Sequence, residues 1–222
     1  VVYDGTFNQL DFLYTHSGNA NLAPNFAVHK NGFFWLGDRK LGLLKVESNW
    51  NSQRFPISGP FTNEGVHLTC SENDLWVSAG RIDGSNWNNT YNWRGAFHFN
   101  QQDWSVINRT TQPELEDSLV IVTDFVWATI DPSDDQHVFL SSFRGGLIEI
   151  QNDQMVERYS FYNSSLQTRL NVNGNNVHVA ATCFDNSGNL WVSNSFVSNP
   201  LSVLTPDGCL LYTSPSPRDA ES

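Results

Sequence analysis

The fold is decided by the stretch VHVAATCFDNSGNLWVS, residues 177–193. It opens with apolar, small and β-branched residues up to Phe184. It then runs through Asp185-Asn186-Ser187-Gly188, the residue types that tight turns require. A second short segment, Leu190-Trp191-Val192-Ser193, follows with a tryptophan near its centre. Two strand-like segments joined by a polar turn predict a β-hairpin.

The same strand–turn–strand pattern occurs in three further places, and each time a third strand follows after a loop. The second strand of every copy is centred on an aromatic residue, at spacings of 41, 63 and 52 residues: Trp35, Trp76, Phe139 and Trp191. A fourth, outer strand fits the gap after each of the first three copies. Repeats of about 40–50 residues with four short strands are typical of propeller blades. The sequence therefore predicts an all-β chain, a β-propeller fragment of about four four-stranded blades.

The blades are expected at about 18–58, 59–108, 118–162 and 172–208, within a partial propeller that covers 1–208. After Gly208 the alternation of strands and turns stops. The segment from Cys209 to Asp219 resembles the translation of a transposon-type sequencing adapter. Residues 209–222 are therefore expected to be a non-native tail. The fourth copy is expected to lack its outer strand for the same reason.

Composition and charge argue against several classes of protein. The chain has 222 residues, with 12 Lys and Arg against 23 Asp and Glu, and a formal net charge of −11. This balance argues against nucleic acid and anionic membrane surfaces as general partners. No apolar run approaches the ~18 residues of a membrane-spanning helix, so no membrane insertion is expected. Cys70 and Cys183 lie in apolar alternating segments, and both are expected to be buried.

The stretch from Asp185 to Val192 is similar to the repeat of two-component-regulator-type β-propellers. Over most of 17–208 the chain also resembles the PorZ-like surface propeller proteins of the Bacteroidetes type IX secretion system. The stretches that carry this second resemblance include Asn86-Trp87-Asn88-Asn89-Thr90-Tyr91-Asn92 and the run from Ser142 to Ile150. The segment from Tyr162 to Leu166 belongs to the same set.

This resemblance implies a seven-bladed full protein at the cell surface or outer membrane of a Gram-negative bacterium, or in its periplasm. The implied function is non-enzymatic binding and scaffolding in the secretion attachment complex, with a sortase-like partner, and binding of anionic lipopolysaccharide or of a partner protein. Two alternatives stay open: the ligand-sensing propeller of a hybrid two-component histidine kinase, and a polysaccharide-active enzyme. A C-terminal secretion domain in the flanking sequence favours the first function, whereas a transmembrane helix and a kinase favour the sensor.

The candidate binding face is formed by the loops between the second and third strands of each blade, because loops on a rigid scaffold commonly carry ligand sites. These loops hold five of the basic residues of an acidic chain, and Arg suits phosphate and carboxylate groups. The alternative is scattered solubilising charge. The candidate ligand-binding residues on this face are Arg39, Lys40, Arg81, Trp87, Tyr91, Trp93, Arg94 and Arg144.

The loop of the second blade is the most informative of these segments. Between Gly84 and Trp93 it mixes three aromatic residues with four asparagines. Aromatic rings stack on sugar rings, and amide groups form hydrogen bonds with sugar hydroxyls. The alternative is that Trp87 and Trp93 cap the propeller core. We therefore expect this loop either to contact a glycan or to close the core.

The chain carries none of the short motifs of serine hydrolases, zinc peptidases or phosphate-binding loops. Catalytic residues, a metal site and a cofactor are therefore not expected, and the chain is expected not to be an enzyme. The segment Asp131-x-Ser133-x-Asp135 lacks the Gly and the distal Glu of a calcium-binding loop. A proline-containing hairpin turn explains it better. The six histidines are interpreted as ordinary strand residues.

Overall fold

The computed structural model describes residues 2–3, 5–11, 15–16, 20–39, 41–47, 51–55, 59–116, 119, 121–170 and 174–212. The chain divides into two compact units, residues 1–59 and 60–222. Strands dominate both units, and one turn of 3-10 helix lies at Pro113–Leu115. The predicted all-β class is confirmed. No helix in these residues is long and apolar enough to span a membrane.

The first unit contains two short hairpins and one four-stranded antiparallel sheet. The hairpins pair β1 (Val2–Tyr3) with β2 (Gln9–Asp11), and β3 (Thr15–His16) with β4 (Ala20–Asn21). The sheet has its strands in chain order: β5 (Pro24–Lys30), β6 (Phe33–Asp38), β7 (Gly42–Val46) and β8 (Ser52–Phe55).

The second unit contains three four-stranded antiparallel sheets, again with strands in chain order. The second sheet consists of β9 (His67–Cys70), β10 (Leu75–Ser78), β11 (Ala96–Phe99) and β12 (Trp104–Ile107). The third consists of β13 (Phe125–Asp131), β14 (Asp134–Ser142), β15 (Gly146–Gln151) and β16 (Gln154–Tyr159). The fourth consists of β17 (Val179–Phe184), β18 (Leu190–Asn194), β19 (Leu201–Leu204) and β20 (Leu210–Tyr212).

The first strands of neighbouring sheets in the second unit lie side by side. His67 of β9 stacks on Trp127 of β13, with ring centroids 3.7 Å apart. The hydroxyl groups of Thr129 on β13 and Thr182 on β17 are 2.8 Å apart and form a hydrogen bond. Adjacent first strands are what a radial arrangement of four-stranded sheets produces.

The four aromatic residues of the repeat occupy equivalent register positions. Trp35, Trp76, Phe139 and Trp191 pair across the second and third strands with Lys45, His98, Glu149 and Val203, respectively. In the first three sheets that partner comes three residues after a glycine with positive φ: Gly42, Gly95 and Gly146. The repeat read from the sequence is therefore a structural repeat as well.

The core of the second unit lies between its sheets. Successive side chains on a strand point to opposite faces, so Val138 and Leu140 of β14 pack with Trp76, whereas Phe139 packs with Leu190 and Val192 of the fourth sheet. Trp76 and Phe139 are buried, while Trp35 and Trp191 are half-buried. Trp76 and Phe139 therefore fill the space between neighbouring sheets of the second unit.

Gly146 allows the third and fourth strands of its sheet to approach each other. It has a φ of +91°, and an added Cβ would lie 2.2 Å from the carbonyl oxygen of Tyr159. Gly95 repeats this arrangement against Ile107 in the second sheet, with a φ of +96° and a distance of 2.1 Å. Both positions need a residue without a Cβ.

Two expectations from the sequence are wrong. The fourth sheet does have an outer strand, because Leu210 and Leu211 pair with Leu204 and Val203. Residues 213–222 of the expected tail lie outside the described residues. Cys70 and Cys183 are exposed, since each sits at a position whose side chain points away from the packed face of its sheet.

Candidate functional site

A buried carboxylate holds the long loop of the second sheet. Asp124 is fully buried at the end of the segment that enters β13. Its carboxylate accepts hydrogen bonds from Thr90 Oγ1 at 2.5 Å and from the backbone N–H groups of Tyr91 at 2.8 Å and Asn92 at 3.1 Å. Hydrogen bonds to a buried charged group are strong, so the end of this loop is fixed to the third sheet.

The same loop contains residues in the left-handed backbone region. Trp87 has a φ of +56° and Tyr91 a φ of +58°. Bulky residues are rare in this region, and each costs of order 1–3 kcal/mol unless its surroundings enforce it. The Asp124 carboxylate provides such enforcement for Tyr91. The loop therefore presents its aromatic side chains outwards, with Trp87 60% exposed and Tyr91 54% exposed.

An open cleft lies beside this loop. Its volume is about 470 Å³, and it is lined by Glu64, Arg81, Thr90, Tyr91, Asn92, Trp93 and Arg94. Four predicted site residues, Arg81, Tyr91, Trp93 and Arg94, are thus brought together. Glu64 offsets part of the positive charge of Arg81 and Arg94, because its Oε2 lies 2.9 Å from Nε of Arg94 in an exposed ion pair.

Arg144, from the loop between β14 and β15, also reaches this surface. Its guanidinium carbon lies 4.5 Å from the ring centroid of Tyr91. Nε of Arg144 donates a hydrogen bond to Oδ1 of Asn176 at 3.1 Å. A guanidinium stacked on an aromatic face keeps its outer N–H groups available for a ligand.

Two arginines of this surface are absent from the sequence prediction. Arg169 donates to Oδ1 of Asn88 at 2.5 Å and stacks on Phe196, with its guanidinium carbon 4.4 Å from the ring centroid. Arg109 lies over the ring of Trp93 at 4.3 Å. Both come from segments that connect one sheet to the next. Those connections share a face with the loops between second and third strands, so counting their basic residues could have found both.

We call this surface of the second unit the arginine–aromatic face. It consists of Arg81, Trp87, Tyr91, Trp93, Arg94, Arg109, Arg144, Arg169 and Phe196. Two predicted site residues are not part of it. Arg39 belongs to the first unit, where its Nε donates to Oδ1 of Asn25 at 2.6 Å. Lys40 lies outside the described residues.

His178 lies beneath this face. It is fully buried, and neither ring nitrogen has a hydrogen-bond partner among the described residues. Its ring packs on Phe143 with centroids 4.5 Å apart. Burial lowers the pKa of His178 to about 4, and the charges of Arg169 and Arg144 act in the same direction. The side chain is therefore neutral at pH 7 and acts as an apolar support for the face.

No group of three or more His, Cys, Asp or Glu residues in the described ranges is arranged to hold a metal ion.

No family model matches this chain, and no curated protein matches it. Among solved structures, the chain is similar to PorZ, an essential bacterial surface component of the type-IX secretion system of Porphyromonas gingivalis, with a TM-score of 0.63 and 19% identity. The match covers 90% of this chain and 28% of the PorZ chain. The fold is that of a β-propeller fragment. The predicted resemblance is thereby confirmed for the fold.

Two further solved structures show a weaker similarity to this chain. The extracellular domain of a hybrid two-component system from B. thetaiotaomicron matches with 18% identity and a TM-score of 0.42, over 90% of this chain and 24% of that chain. A gluconolactonase from Xanthomonas campestris matches with 12% identity and a TM-score of 0.43, over 87% of this chain and 62% of that chain.

One expectation about function is overturned by these comparisons. The chain is expected not to be an enzyme because it lacks catalytic sequence motifs, yet the gluconolactonase and an ancestral GH74 enzyme are among the structures it is similar to. Short motifs report catalysis only where the reacting groups are close in sequence. Side chains from different sheets can converge without any such motif, and one fold hosts many functions.

Proposed function

We propose that this chain is part of a surface propeller that binds an anionic glycan on its arginine–aromatic face, within a type IX secretion attachment complex. One observation carries the proposal: Arg144 and Arg169 each lie over an aromatic ring, and Arg169 also donates to the backbone oxygen of Trp87, whose side chain is exposed. The face thus offers aromatic planes and guanidinium donors together.

These two kinds of group match the two parts of an anionic glycan. Aromatic rings such as Trp87 and Tyr91 pack against the apolar face of a sugar ring. Guanidinium groups donate paired hydrogen bonds to phosphate or carboxylate oxygens. Asn88, on the same loop, adds a side-chain amide group that can donate a hydrogen bond to a hydroxyl.

The charge distribution supports an anionic ligand on this face. The chain as a whole carries a formal charge of −11, so its general field repels anions. Glu64 pairs with Arg94 and Glu116 with Arg109. The five arginines of the arginine–aromatic face outnumber these two carboxylates, and such a local excess of positive charge attracts an anionic partner. We therefore expect binding to weaken steeply as the salt concentration rises.

The secretion context of the proposal rests on the likeness to PorZ, an essential bacterial surface component of the type-IX secretion system. The likeness supports a location of the chain at the bacterial surface, with secretion-complex proteins, including a sortase-like protein, as its partners. Anionic lipopolysaccharide is the glycan that this context supplies.

The test is equilibrium binding of the chain to anionic lipopolysaccharide and to an uncharged polysaccharide. We expect binding to the first and none to the second. Reversing the charges of Arg94 and Arg144 together (Arg94→Glu, Arg144→Glu) should weaken lipopolysaccharide binding about tenfold or more.

The control variant is Lys30→Glu, which changes the charge by the same amount per substitution at an exposed position of β5 in the first unit. It should leave the affinity unchanged. Unaltered binding by the Arg94 and Arg144 double variant, or an equal loss in Lys30→Glu, would refute the proposed function.

A further inference from the structure

A second cleft lies between the third and fourth sheets, at the strand ends opposite to the arginine–aromatic face. Its volume is about 250 Å³. The turns β13–β14, β17–β18 and β19–β20 border it, whereas the arginine–aromatic face is built from the loops at the other ends of these strands. The volume is close to the lower end of the range for small-molecule sites.

One wall of this cleft is a chain of four polar side chains. His137 lies between two carboxylates, with Nδ1 2.9 Å from Oδ2 of Asp131 and Nε2 2.8 Å from Oε1 of Glu149. The hydroxyl of Tyr159 donates to the other oxygen of Glu149 at 2.8 Å. Both carboxylates keep unused lone pairs and line the cleft.

The other wall of this cleft is apolar and aromatic. Phe184, Leu190, Leu204 and Pro206 of the fourth sheet face it, together with Phe139 of the third. Phe139 and Phe184 meet edge to face with their centroids 5.9 Å apart. Such a wall takes an apolar body.

The charge of the cleft favours a positive ligand. Asp131 and Glu149 each carry a negative charge, His137 supplies the positive charge between them, and neither Lys nor Arg lines the cleft among the described residues. The hydrogen bond to Glu149 raises the pKa of His137 to about 8, against the opposing effect of burial and with help from Asp131. The lining therefore carries one net negative charge at pH 7, and a second above pH 8.

We propose that this cleft binds a small organic cation, an ammonium group attached to a flat apolar body, with the ammonium at Glu149 and Asp131 and the body against Phe184 and Leu204. Three independent features converge on this ligand: an open volume, an aromatic and aliphatic wall, and a negative polar wall. The proposal does not depend on glycan binding at the arginine–aromatic face.

The test uses the whole chain with phenethylammonium as the probe and 2-phenylethanol as its uncharged analogue, measured by calorimetry. The ammonium compound should bind, and the alcohol should bind about tenfold more weakly or not at all. Binding of the cation should strengthen between pH about 6.5 and about 9, because His137 loses its proton in that interval.

At pH about 9, where His137 is neutral with or without Glu149, the variant Glu149→Gln should weaken binding of the cation about tenfold. Glu72→Gln is the matched control, since it removes the same charge from an exposed turn of the second sheet. Equal affinity for the alcohol, no binding of the cation, weaker binding at high pH, or an equal loss in Glu72→Gln would each overturn the proposal. The probe comparison and the pH series need only the unaltered chain, so they decide the question even if Glu149→Gln does not fold.

Discussion

The indole of Trp76 lies parallel to the imidazole of His98, with ring centroids 4.5 Å apart and an interplanar angle of 5°. His98 in turn lies between Asp74 of its own sheet, at 2.6 Å, and Asp153 of the β15–β16 turn, at 2.7 Å. The central aromatic residue of one blade is thus stacked on a histidine that binds the next blade. The stacking of Trp76 on His98 and the contact of His98 with Asp153 therefore connect the second and third sheets.

Removing the Trp76 side chain should test this coupling. The side chain is 1% exposed and packs against Val138, Leu140 and Ile148 of the third sheet. We expect Trp76→Ala to lower the free energy of unfolding by about 3–5 kcal/mol, because it leaves a cavity between two sheets. Urea unfolding measures this loss. The exposed Trp87 provides the control, and Trp87→Ala should change stability by less than about 0.5 kcal/mol. Similar losses in the two variants would contradict the packing described here.

The close approach of the third and fourth strands of the third sheet at Gly146 gives a second prediction. Gly146→Ala places a Cβ 2.2 Å from the carbonyl oxygen of Tyr159 at a φ of +91°. The strain and the clash together should cost about 2 kcal/mol or more in unfolding free energy. Gly84→Ala is the matched control, because nothing lies within 4 Å of its added Cβ. A Gly146→Ala variant as stable as Gly84→Ala would show that the two strands do not approach as described.

Stability should depend on pH through two histidines that lie between carboxylates, the half-buried His137 and the buried His98. The hydrogen bond to Glu149 raises the pKa of His137 to about 8 from an ordinary value of 6.5, so the folded chain holds more protons than the unfolded chain between these values. The stabilisation is complete below pH 6.5 and is lost as the pH rises through about 8. Burial acts in the opposite direction on the pKa of His98, but hydrogen bonds to Asp153 and Asp74 outweigh it, and the net shift is also upwards.

The acidic side of the stability profile has a different origin. Burial lowers the pKa of His178 to about 4. Between pH 6.5 and 4 the unfolded chain therefore binds a proton at His178 that the folded chain does not, and stability falls as the pH drops through this interval. Thermal unfolding from pH about 4 to about 9 should therefore show a maximum near 6.5. In His137→Gln the decline above 6.5 should become shallower, whereas His29→Gln, which alters an exposed histidine of β5, should reproduce the original profile. An unchanged alkaline decline in His137→Gln would contradict the assignment.

Asp124 is predicted to act as a positioning residue for the arginine–aromatic face. The variant Asp124→Asn replaces an acceptor-only group by one that also donates, opposite Thr90 and the N–H groups of Tyr91 and Asn92. We expect a loss of about 1–3 kcal/mol in stability and weaker glycan binding, although Asp124 is itself buried. Asp83→Asn, in the exposed part of the same loop, should affect both properties less. If a destabilised Asp124→Asn variant keeps its glycan affinity, Asp124 does not position the loop for glycan binding.

Much of the fold follows from the sequence, because hairpin chemistry and alternation are local signals. The turn at Asp185-Asn186-Ser187-Gly188 and the register of Trp76 and Phe139 are examples. The burial of the repeat positions is not local, since it depends on which sheet lies opposite. That dependence explains why Trp76 is buried and Trp191 only half-buried, and why two cysteines expected inside are exposed.

The sites are less accessible to sequence reasoning than the fold. The loop from Gly84 to Trp93 is recognisable by its composition, but its contact with Arg169 joins residues 81 positions apart. His137 reads as an ordinary strand residue, and Asp131 as a turn residue. Only the register of β13, β14 and β15 brings Asp131, His137 and Glu149 into one cleft. Neither single-sequence periodicity nor motif spacing contains that information.

The most direct test of the central claim is an NMR titration of the chain with a phosphorylated oligosaccharide, observing indole and guanidinium N–H signals. Binding at the arginine–aromatic face predicts shifts for Trp87, Trp93, Arg144 and Arg169, with the indole signals of Trp76 and Trp191 unmoved. Shifts confined to other parts of the chain, or no shifts at saturating ligand, would contradict the claim that this face is the glycan-binding surface.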